Sequence, residues 1–136
     1  MTLFCDGAAR DNPKGPAGAG AVLLDDANQV VGTVSDFLGV RTNNEAEYEA
    51  LIRGLRKALD LGARRVLVRA DSEVMVRHLN GEYRVKAPNL RPLYSEAVAN
   101  LGRFESWDAK HVPREANRDA DRLANEAIDR ALVATR

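Results

Sequence analysis

The sequence has little cysteine, no excess charge of either sign and no long apolar run. Cys5 is the single cysteine among 136 residues, which excludes an intramolecular disulfide and suits a reducing compartment. Twenty basic and twenty acidic residues give a formal net charge of zero, so binding to a polyanion would rest on a local patch. Because neither an apolar segment of membrane-spanning length nor a basic and apolar leader is present, we expect a cytoplasmic protein with no membrane partner.

The composition is that of a folded protein. Apolar residues make up 45% of the chain and charged residues 29%, which is typical of globular proteins and excludes a disordered one. The length fits one domain over residues 1–136 with a core of its own, and we expect this domain to be a monomer.

Short apolar segments and longer amphipathic segments alternate along the chain. The short ones predict five strands, at residues 2–6, 17–24, 30–37, 65–70 and 105–112, with a Gly- and Pro-rich loop over residues 7–16. The longer ones predict helices at residues 43–61, 72–80 and 90–104, and from 117 or 119 to about 132. Hairpin-length connections and a strand–helix–strand crossover then define the fold class. It is α/β, a five-stranded mixed sheet with the first three strands antiparallel, the fourth and fifth parallel, and helices on its flanks.

A carboxylate lies on the apolar face of the first predicted helix. Leu51, Leu55 and Ala58 form one stripe at helical spacing, and Glu47 falls on that same stripe. A charge that faces a core is costly unless it is paired or binds a metal ion. Since a turn or cap role is not available in the middle of a helix, Glu47 predicts a partner elsewhere in the chain.

Three aspartates occupy positions from which they could reach Glu47. Asp6 ends the first predicted strand, Asp71 follows the fourth, and Asp121 lies in the first turn of the last helix. Ligand sites in open α/β sheets form beyond the carboxyl ends of strands, where the strand order switches. Each aspartate alone has an ordinary explanation, as a turn residue, a helix cap or a partner of the helix dipole. The prediction of a joint site therefore rests on their convergence with Glu47.

Four converging carboxylates predict bound cations. Such groups repel one another and stay ionised together when cations lie between them. Oxygen ligands with no nearby set of cysteine and histidine favour Mg²⁺ or Mn²⁺ over Zn²⁺. Two such ions roughly 4 Å apart stabilise both the attacking and the leaving oxygen of a phosphoryl displacement. We therefore expect two Mg²⁺ or Mn²⁺ ions at Asp6, Glu47, Asp71 and Asp121.

The segments that carry these acids resemble four motifs of the type 1 ribonuclease H family. Residues 6–13 (DGAARDNP) are similar to its first catalytic segment, and residues 42–48 (TNNEAEY) are similar to its helix motif. Asp71 and Ser72 resemble the third motif, and residues 111–121 (HVPREANRDAD) resemble the last. The order Asp, Glu, Asp, Asp also matches, and the similarity runs over nearly the whole chain.

The resemblance implies an enzyme that hydrolyses the RNA strand of RNA–DNA hybrids internally and leaves 5′-phosphate and 3′-hydroxyl ends. It implies that the four acids bind two divalent ions and that His111 assists proton transfer or product release. An amide such as that of Asn44 suits hybrid recognition, because it can donate to and accept from the 2′-hydroxyl that distinguishes RNA from DNA. The substrate contacts that the resemblance implies are Gly7, Asn12, Thr42, Asn43, Asn44, Ser72 and Glu73.

Three departures from the family pattern bear on substrate binding. Glu73 stands where many relatives have glutamine, so it either weakens binding by its negative charge beside the hybrid or binds a base amino group through one oxygen. Lys14 separates Pro13 from Gly15, so the first loop is expected to differ in shape. The loop over residues 81–89 lacks the basic protrusion of some relatives and offers Tyr83, Arg84 and Lys86 in its place. With a net charge of zero, these features predict weak and strongly salt-dependent binding.

Two alternatives to this function stay open. A relative that also cleaves double-stranded RNA fits the same motifs, because reading 2′-hydroxyls on one strand does not forbid them on the other. The other alternative is a hybrid-binding module without catalysis, although binding alone gains nothing from four clustered negative charges. Outside the acid set, Arg10 is interpreted as a phosphate contact or a solvated charge, Glu45 as a surface charge, and His78 as a solvated side chain.

Overall fold

The sheet is the centre of the fold in the computed structural model, which describes residues 1–134. Its strands are β1 (Thr2–Ala9), β2 (Lys14–Leu24), β3 (Val30–Thr42), β4 (Arg65–Ala70) and β5 (Ser106–His111). They lie in the order β3-β2-β1-β4-β5. The first three strands pair antiparallel, and β4 runs parallel to both β1 and β5. The predicted fold class is confirmed.

Four helices cover the two faces of the sheet. They are α1 (Asn43–Asp60), α2 (Glu73–Leu79), α3 (Arg91–Leu101) and α4 (Arg118–Ala134), and a 3₁₀ turn over Arg114–Asn117 leads into α4. Helix α1 packs on β1 and β2 from one face, with α3 against it, and α4 packs on β2 from the other face. Within residues 1–134, none of the helices is long and apolar enough to span a bilayer.

The first two strands are longer than predicted. β1 runs to Ala9 and β2 begins at Lys14, so the loop predicted over residues 7–16 is confined to residues 10–13. That prediction was wrong because Gly7 and Gly15, read as turn residues, are strand residues, and Gly7 lies where α1 approaches the sheet closely. β3 likewise continues past residue 37 to Thr42 and leads directly into α1.

Two strand glycines mark where α1 and α4 touch the sheet backbone. A Cβ atom at Gly7 of β1 would lie 2.1 Å from the carbonyl carbon of Ala46 in α1. On the opposite face, a Cβ atom at Gly20 of β2 would lie 2.0 Å from the main-chain oxygen of Ala120 in α4. Both separations are far inside van der Waals contact, so no side chain fits at either position. The two helices that carry Glu47 and Asp121 are therefore seated directly on the strands.

The apolar stripe of α1 is buried as predicted, and Glu47 is buried with it. Leu51 and Leu55 are fully shielded from solvent, and Glu47 is 6% exposed. The helix is buried further round than one stripe, because Ile52 is also shielded. Arg56 beyond it is exposed and pairs with Glu96 of α3.

A capping box closes the N-terminus of α1 and corrects the interpretation of Glu45 as a surface charge. The Thr42 Oγ1 atom accepts a hydrogen bond from the Glu45 N–H at 3.1 Å, and the Glu45 Oε1 atom accepts one from the Thr42 N–H at 2.8 Å. The pattern Thr-x-x-Glu before an apolar helix is the sequence signature of this motif. The helix that carries Glu47 thus begins at a fixed residue.

Removal of either side of the capping box is expected to destabilise the protein by about 1 kcal/mol. The hydrogen bond from the Thr42 N–H lowers the pKa of Glu45, so its contribution is present above the unfolded-state pKa and is lost as the pH falls through the folded-state value. Chemical denaturation of Thr42→Ala and Glu45→Ala at neutral and acid pH measures this. Glu45→Gln keeps an acceptor oxygen and should retain part of the stability without the pH dependence. Equal stability of Glu45→Ala and wild type at neutral pH would contradict the assignment.

Candidate active site

The acids meet where the parallel pairing of β1 and β4 ends. That pairing runs as far as Cys5 opposite Ala70, and the next residues along the chain are Asp6 and Asp71. Glu47 reaches the same point from α1. One carboxylate oxygen from each of these three acids lies within 4.8 Å of the other two. The prediction that Asp6 ends the first strand was wrong, because β1 continues beside β2 after its pairing with β4 ends.

The main chain of β1 orients Glu47. The Glu47 Oε1 atom accepts a short hydrogen bond from the Gly7 N–H. This bond is possible because α1 lies against Gly7 with no side chain between them. The close contact between α1 and β1 at Gly7 therefore fixes the direction of the Glu47 carboxylate.

Asn117 holds Asp71 and was not predicted as a site residue. It is 1% exposed, and its Nδ2 atom donates to the Cys5 main-chain oxygen at 2.9 Å and to Asp71 Oδ1 at 3.1 Å. Its own Oδ1 atom is buried without a hydrogen-bond partner among the described residues. Its position in the last motif, four residues before Asp121, is the signal that could have pointed to it.

Asp121 enters from the first turn of α4 and stays half-buried on the edge of the cluster. Asn125, one turn later, donates from Nδ2 to Asp121 Oδ1 at 3.3 Å and to the Asp121 main-chain oxygen at 3.0 Å. Asp121 is not part of the group of three acids whose oxygens lie within 4.8 Å. Its carboxylate lines the same cleft as the other three.

The two buried acids favour a bound cation. Burial raises the pKa of Asp6 well above its usual range, and the hydrogen bond and negative charge of Glu47 raise it further. Burial also raises the pKa of Glu47, although hydrogen bonds to its carboxylate oppose this change. In the absence of a compensating cation, the raised pKa values favour protonation of this pair. A divalent cation among these oxygens would take the place of that proton.

The acids lie in an open cleft of about 420 Å³ whose lining mixes predicted and unpredicted residues. Arg10, Arg114 and Asn125 line it although they were not assigned to the site. The predicted site residues that line it are Asp6, Gly7, Asn43, Asn44, Glu47, Asp71, Ser72 and Asp121.

Four other predicted site residues are outside the cleft lining. Asn12 is exposed in the loop between β1 and β2, and Thr42 is engaged in the capping box. Glu73 is exposed at the start of α2, where its carboxylate pairs with Arg77 at 2.9 Å. His111 is the exposed last residue of β5, opposite Ala70 in the sheet. Their assigned roles stay predictions.

Two polar side chains at the cleft already have main-chain partners. Asn43 Oδ1 accepts a hydrogen bond from the Ala9 N–H at 3.2 Å, which leaves its NH₂ group for another acceptor. Ser72 is the N-cap of α2, and its Oγ accepts from the Met75 N–H at 3.3 Å. These bonds connect the rim of the cleft to β1 and α2.

His78 is not a solvated side chain. It is 7% exposed, its ring is stacked on that of Tyr48, and its Nδ1 atom lies 2.7 Å from the Tyr48 hydroxyl. The interpretation from its polar sequence neighbours was wrong because α2 turns this residue toward α1. The contact joins the helix of Glu47 to the helix that follows Asp71.

The mixed sheet and the carboxylates at its strand switch define the class: a protein with the ribonuclease H-like fold. The family model described as "Reverse transcriptase-like" matches residues 4–127. The chain is 42% identical over 128 residues to ribonuclease HI of Halobacterium salinarum, covering 94% of this chain and 64% of the relative. The crystal structure of ribonuclease H1 from that archaeon superposes with a TM-score of 0.91 at 40% identity and covers 94% of this chain and 96% of that one. The chain belongs to the type 1 ribonuclease H family.

Two further relatives bear on length and substrate. A bifunctional protein of Mycobacterium tuberculosis is 44% identical over 132 residues, which is 96% of this chain and 36% of that protein. The chain thus spans less than two thirds of the length of each of these two curated relatives. The crystal structure of LC11-RNase H1 in complex with an RNA/DNA hybrid matches with a TM-score of 0.90 at 41% identity, covering 96% of this chain and 98% of that one.

Proposed function

We propose that the protein hydrolyses the RNA strand of RNA–DNA hybrids internally and leaves 5′-phosphate and 3′-hydroxyl ends. The observation that carries the proposal is the acid cluster, in which oxygens of Asp6, Glu47 and Asp71 lie within 4.8 Å of one another with Asp121 on the same cleft. Membership of the ribonuclease H family and the similarity to a hybrid-bound relative support the choice of substrate. The active unit is residues 1–136 as one ribonuclease H domain.

The donor set fits two Mg²⁺ or Mn²⁺ ions. All four ligands are carboxylates, the ligands that these hard cations prefer, and the raised pKa values of Asp6 and Glu47 mark a site that gains from positive charge. Asp6, Glu47, Asp71 and Asp121 would hold the ions. When bound, such ions lower the pKa of the attacking water and stabilise the leaving oxygen of the displacement.

The residues of the chain fix the ligands and read the substrate. Hydrogen bonds from the Gly7 N–H and the Asn117 amide hold the Glu47 and Asp71 carboxylates in place. Asn43 and Asn44 are the first residues of α1 and line the cleft, and the NH₂ group of Asn43, which has no hydrogen-bond partner within residues 1–134, can donate to a 2′-hydroxyl. In this proposal the 2′-hydroxyls of the RNA strand select which strand is cut.

Substrate binding rests on local charges. The negative charge of Glu73, which would weaken hybrid binding, is offset by its ion pair with Arg77. The Arg77 guanidinium also lies 5.2 Å from the centre of the Tyr83 ring. Arg114 lines the cleft and has no ion pair among the described residues, so it is available to a phosphate. His111 is proposed to assist proton transfer or product release from the exposed end of β5.

Cleavage by the pure protein of an RNA–DNA hybrid whose RNA strand carries a fluorophore at its 3′ end tests the proposal. We expect internal cleavage of the RNA with Mg²⁺ or Mn²⁺, products with phosphatase-sensitive 5′ ends, and a rate at low substrate that falls steeply between about 50 and 200 mM salt. Duplex RNA, single-stranded RNA and duplex DNA serve as parallel substrates. Cleavage of duplex RNA would widen the substrate class. If the protein binds the hybrid but cleaves no substrate under any of these conditions, the proposed catalytic function is wrong and the protein is a hybrid-binding module.

The metal-free protein is expected to gain stability when Asp6 is neutralised. Because the folded-state pKa of this acid is raised, its cost to stability appears as the pH rises above the unfolded-state value and grows toward the folded-state value. Asp6→Asn should therefore be more stable than wild type by about 1–2 kcal/mol at pH 7 without metal, with a smaller difference near pH 4. Thermal unfolding with and without Mg²⁺ measures both effects.

The control for this comparison is Glu105→Gln, which removes an exposed carboxylate outside the cleft. It should leave the stability within about 0.5 kcal/mol of wild type at either pH. Added Mg²⁺ should raise the melting temperature of the wild type and of this control more than that of Asp6→Asn. A metal-free Asp6→Asn protein that is less stable than wild type at pH 7 would contradict the assigned electrostatics.

A further inference from the structure

Asp121 differs from the other three acids in how it is held. Main-chain and buried partners fix Glu47 and Asp71, through the Gly7 N–H and the Asn117 amide. Asp121 is half-buried, and its carboxylate accepts a hydrogen bond from the Asn125 side chain at 3.3 Å and also interacts with the Asp6 carboxyl group. Among the described residues outside the acid cluster, the side chain that bonds the Asp121 carboxylate is therefore Asn125, whose orientation bears on the direction of Asp121.

Arg10 orients the Asn125 amide. From the end of β1, its Nη2 atom donates to Asn125 Oδ1 at 3.4 Å and to the Asn125 main-chain oxygen at 3.2 Å. The same nitrogen pairs with Asp129, one turn further along α4, at 2.7 Å. With its Oδ1 atom facing a cation, the amide must turn its Nδ2 group toward Asp121.

We propose that Arg10 and Asn125 form a polar relay that positions Asp121 for its role in the acid cluster. Both are positioning residues: Arg10 acts through Asn125, and Asn125 acts on the Asp121 carboxylate. The inference rests on the proposed function, because Asp121 is assigned there as a cation ligand. Under this proposal, Arg10 in the loop after β1 helps to orient Asp121 on α4.

The alternative for Arg10 is direct contact with a substrate phosphate. Its guanidinium lines the cleft, so the position alone fits either role. The ion pair with Asp129 already offsets its positive charge, and the two bonds to Asn125 fix the side chain along α4 rather than across the cleft. These contacts favour the relay, and the two roles differ in what a substitution changes.

A comparison of two Asn125 variants distinguishes two roles of this residue. One is to orient the Asp121 carboxylate, and the other is only to attach the loop after β1 to α4 through Arg10. Asn125→Asp keeps the acceptor oxygen for Arg10 and replaces the amide donor by a charge that repels Asp121. Asn125→Ala removes the side-chain contacts with Arg10 and with Asp121 and keeps the bond from Arg10 to the main-chain oxygen. We expect both variants to lose about ten-fold or more in kcat with little change in KM, which is the range found when outer partners of metal ligands are removed. Near-wild-type kcat in Asn125→Asp would overturn the relay.

A double-mutant cycle tests whether Arg10 acts through Asn125. Arg10→Ala should lower kcat in the wild-type background and have little further effect in Asn125→Ala, because the relay is already broken there. The phosphate-contact role predicts instead a rise in KM, a weaker salt dependence and equal effects in both backgrounds. The control is Arg122→Ala, an exposed residue of the same helix that pairs with Asp119 and Glu126. Its kcat should equal that of wild type.

The side-chain amide signals of Asn125 in an NMR spectrum of the metal-free protein give a readout that does not depend on activity. Arg10→Ala and Asp121→Asn should each shift these signals, and Arg122→Ala should not. If the wild type fails to cleave the hybrid but the amide responds, the proposed function fails and the contact network stands. If the wild type cleaves and neither kcat nor the amide signals respond to Arg10→Ala, the relay is wrong and the proposed function stands.

Discussion

Asp71→Asn is expected to lower the cleavage rate by on the order of 10³-fold or more while the fold is retained, since a divalent cation supplies several kcal/mol of transition-state stabilisation. The substitution keeps the size of the side chain and leaves an oxygen to accept the Asn117 hydrogen bond. It removes the negative charge that a cation requires. Single-turnover cleavage of the labelled hybrid at saturating Mg²⁺ measures the loss.

The matched control for Asp71→Asn is Asp108→Asn. Asp108 lies on the neighbouring strand β5 and pairs with Arg69 outside the cleft. Its substitution should leave the rate close to that of wild type. Circular dichroism should show that both variants are folded. An Asp71→Asn enzyme with wild-type turnover would mean that other acids bind the cations.

Gly7→Ala should damage stability and catalysis together. The new methyl group would lie 2.1 Å from the Ala46 carbonyl carbon and 2.3 Å from the Glu47 nitrogen, so α1 must move away from β1. Overpacking of this kind costs about 1–3 kcal/mol, and the backbone on both sides of this contact can yield little. Because Glu47 is bound to the Gly7 N–H, the same shift should lower the rate about 10²-fold or more.

Gly102→Ala is the matched control for the Gly7 substitution. Gly102 has ordinary helical backbone angles, and a Cβ atom there would lie 3.6 Å from its nearest neighbours. Its replacement should leave activity unchanged and stability equal or slightly higher, by about 0.4–1 kcal/mol. Thermal melts with initial rates for both variants make the comparison. A Gly7→Ala protein that matches Gly102→Ala in both measurements would show that α1 can move without displacing Glu47.

The positions of the acids along the chain could be predicted because helical phase and strand ends are local properties. Glu47 stood out on an apolar stripe, and Asp71 stood at the end of a short apolar segment. The end of β1 was predicted too early because a glycine such as Gly7 is typical both of a turn and of a strand position where a helix packs closely. Which meaning holds depends on α1, forty residues away in the chain.

The partners of the acids could not be predicted, because each contact joins distant parts of the sequence. Asn117 reaches Asp71, and His78 reaches Tyr48, through packing that no local pattern specifies. Glu45 is a different case. Thr42 and Glu45 have the spacing of a capping box, so the local pattern was sufficient to predict this contact.

The acids that line the cleft come from chain positions 6, 47, 71 and 121. The unfolded chain thus has no segment that gathers them, and the binding free energy of a divalent cation becomes folding free energy. Partly assembled chains, in which β4 has not yet joined β1 or α4 has not docked, lack a complete set of ligands. Under the proposed function, the full set of ligands forms, and cleavage becomes possible, when the last helix has docked.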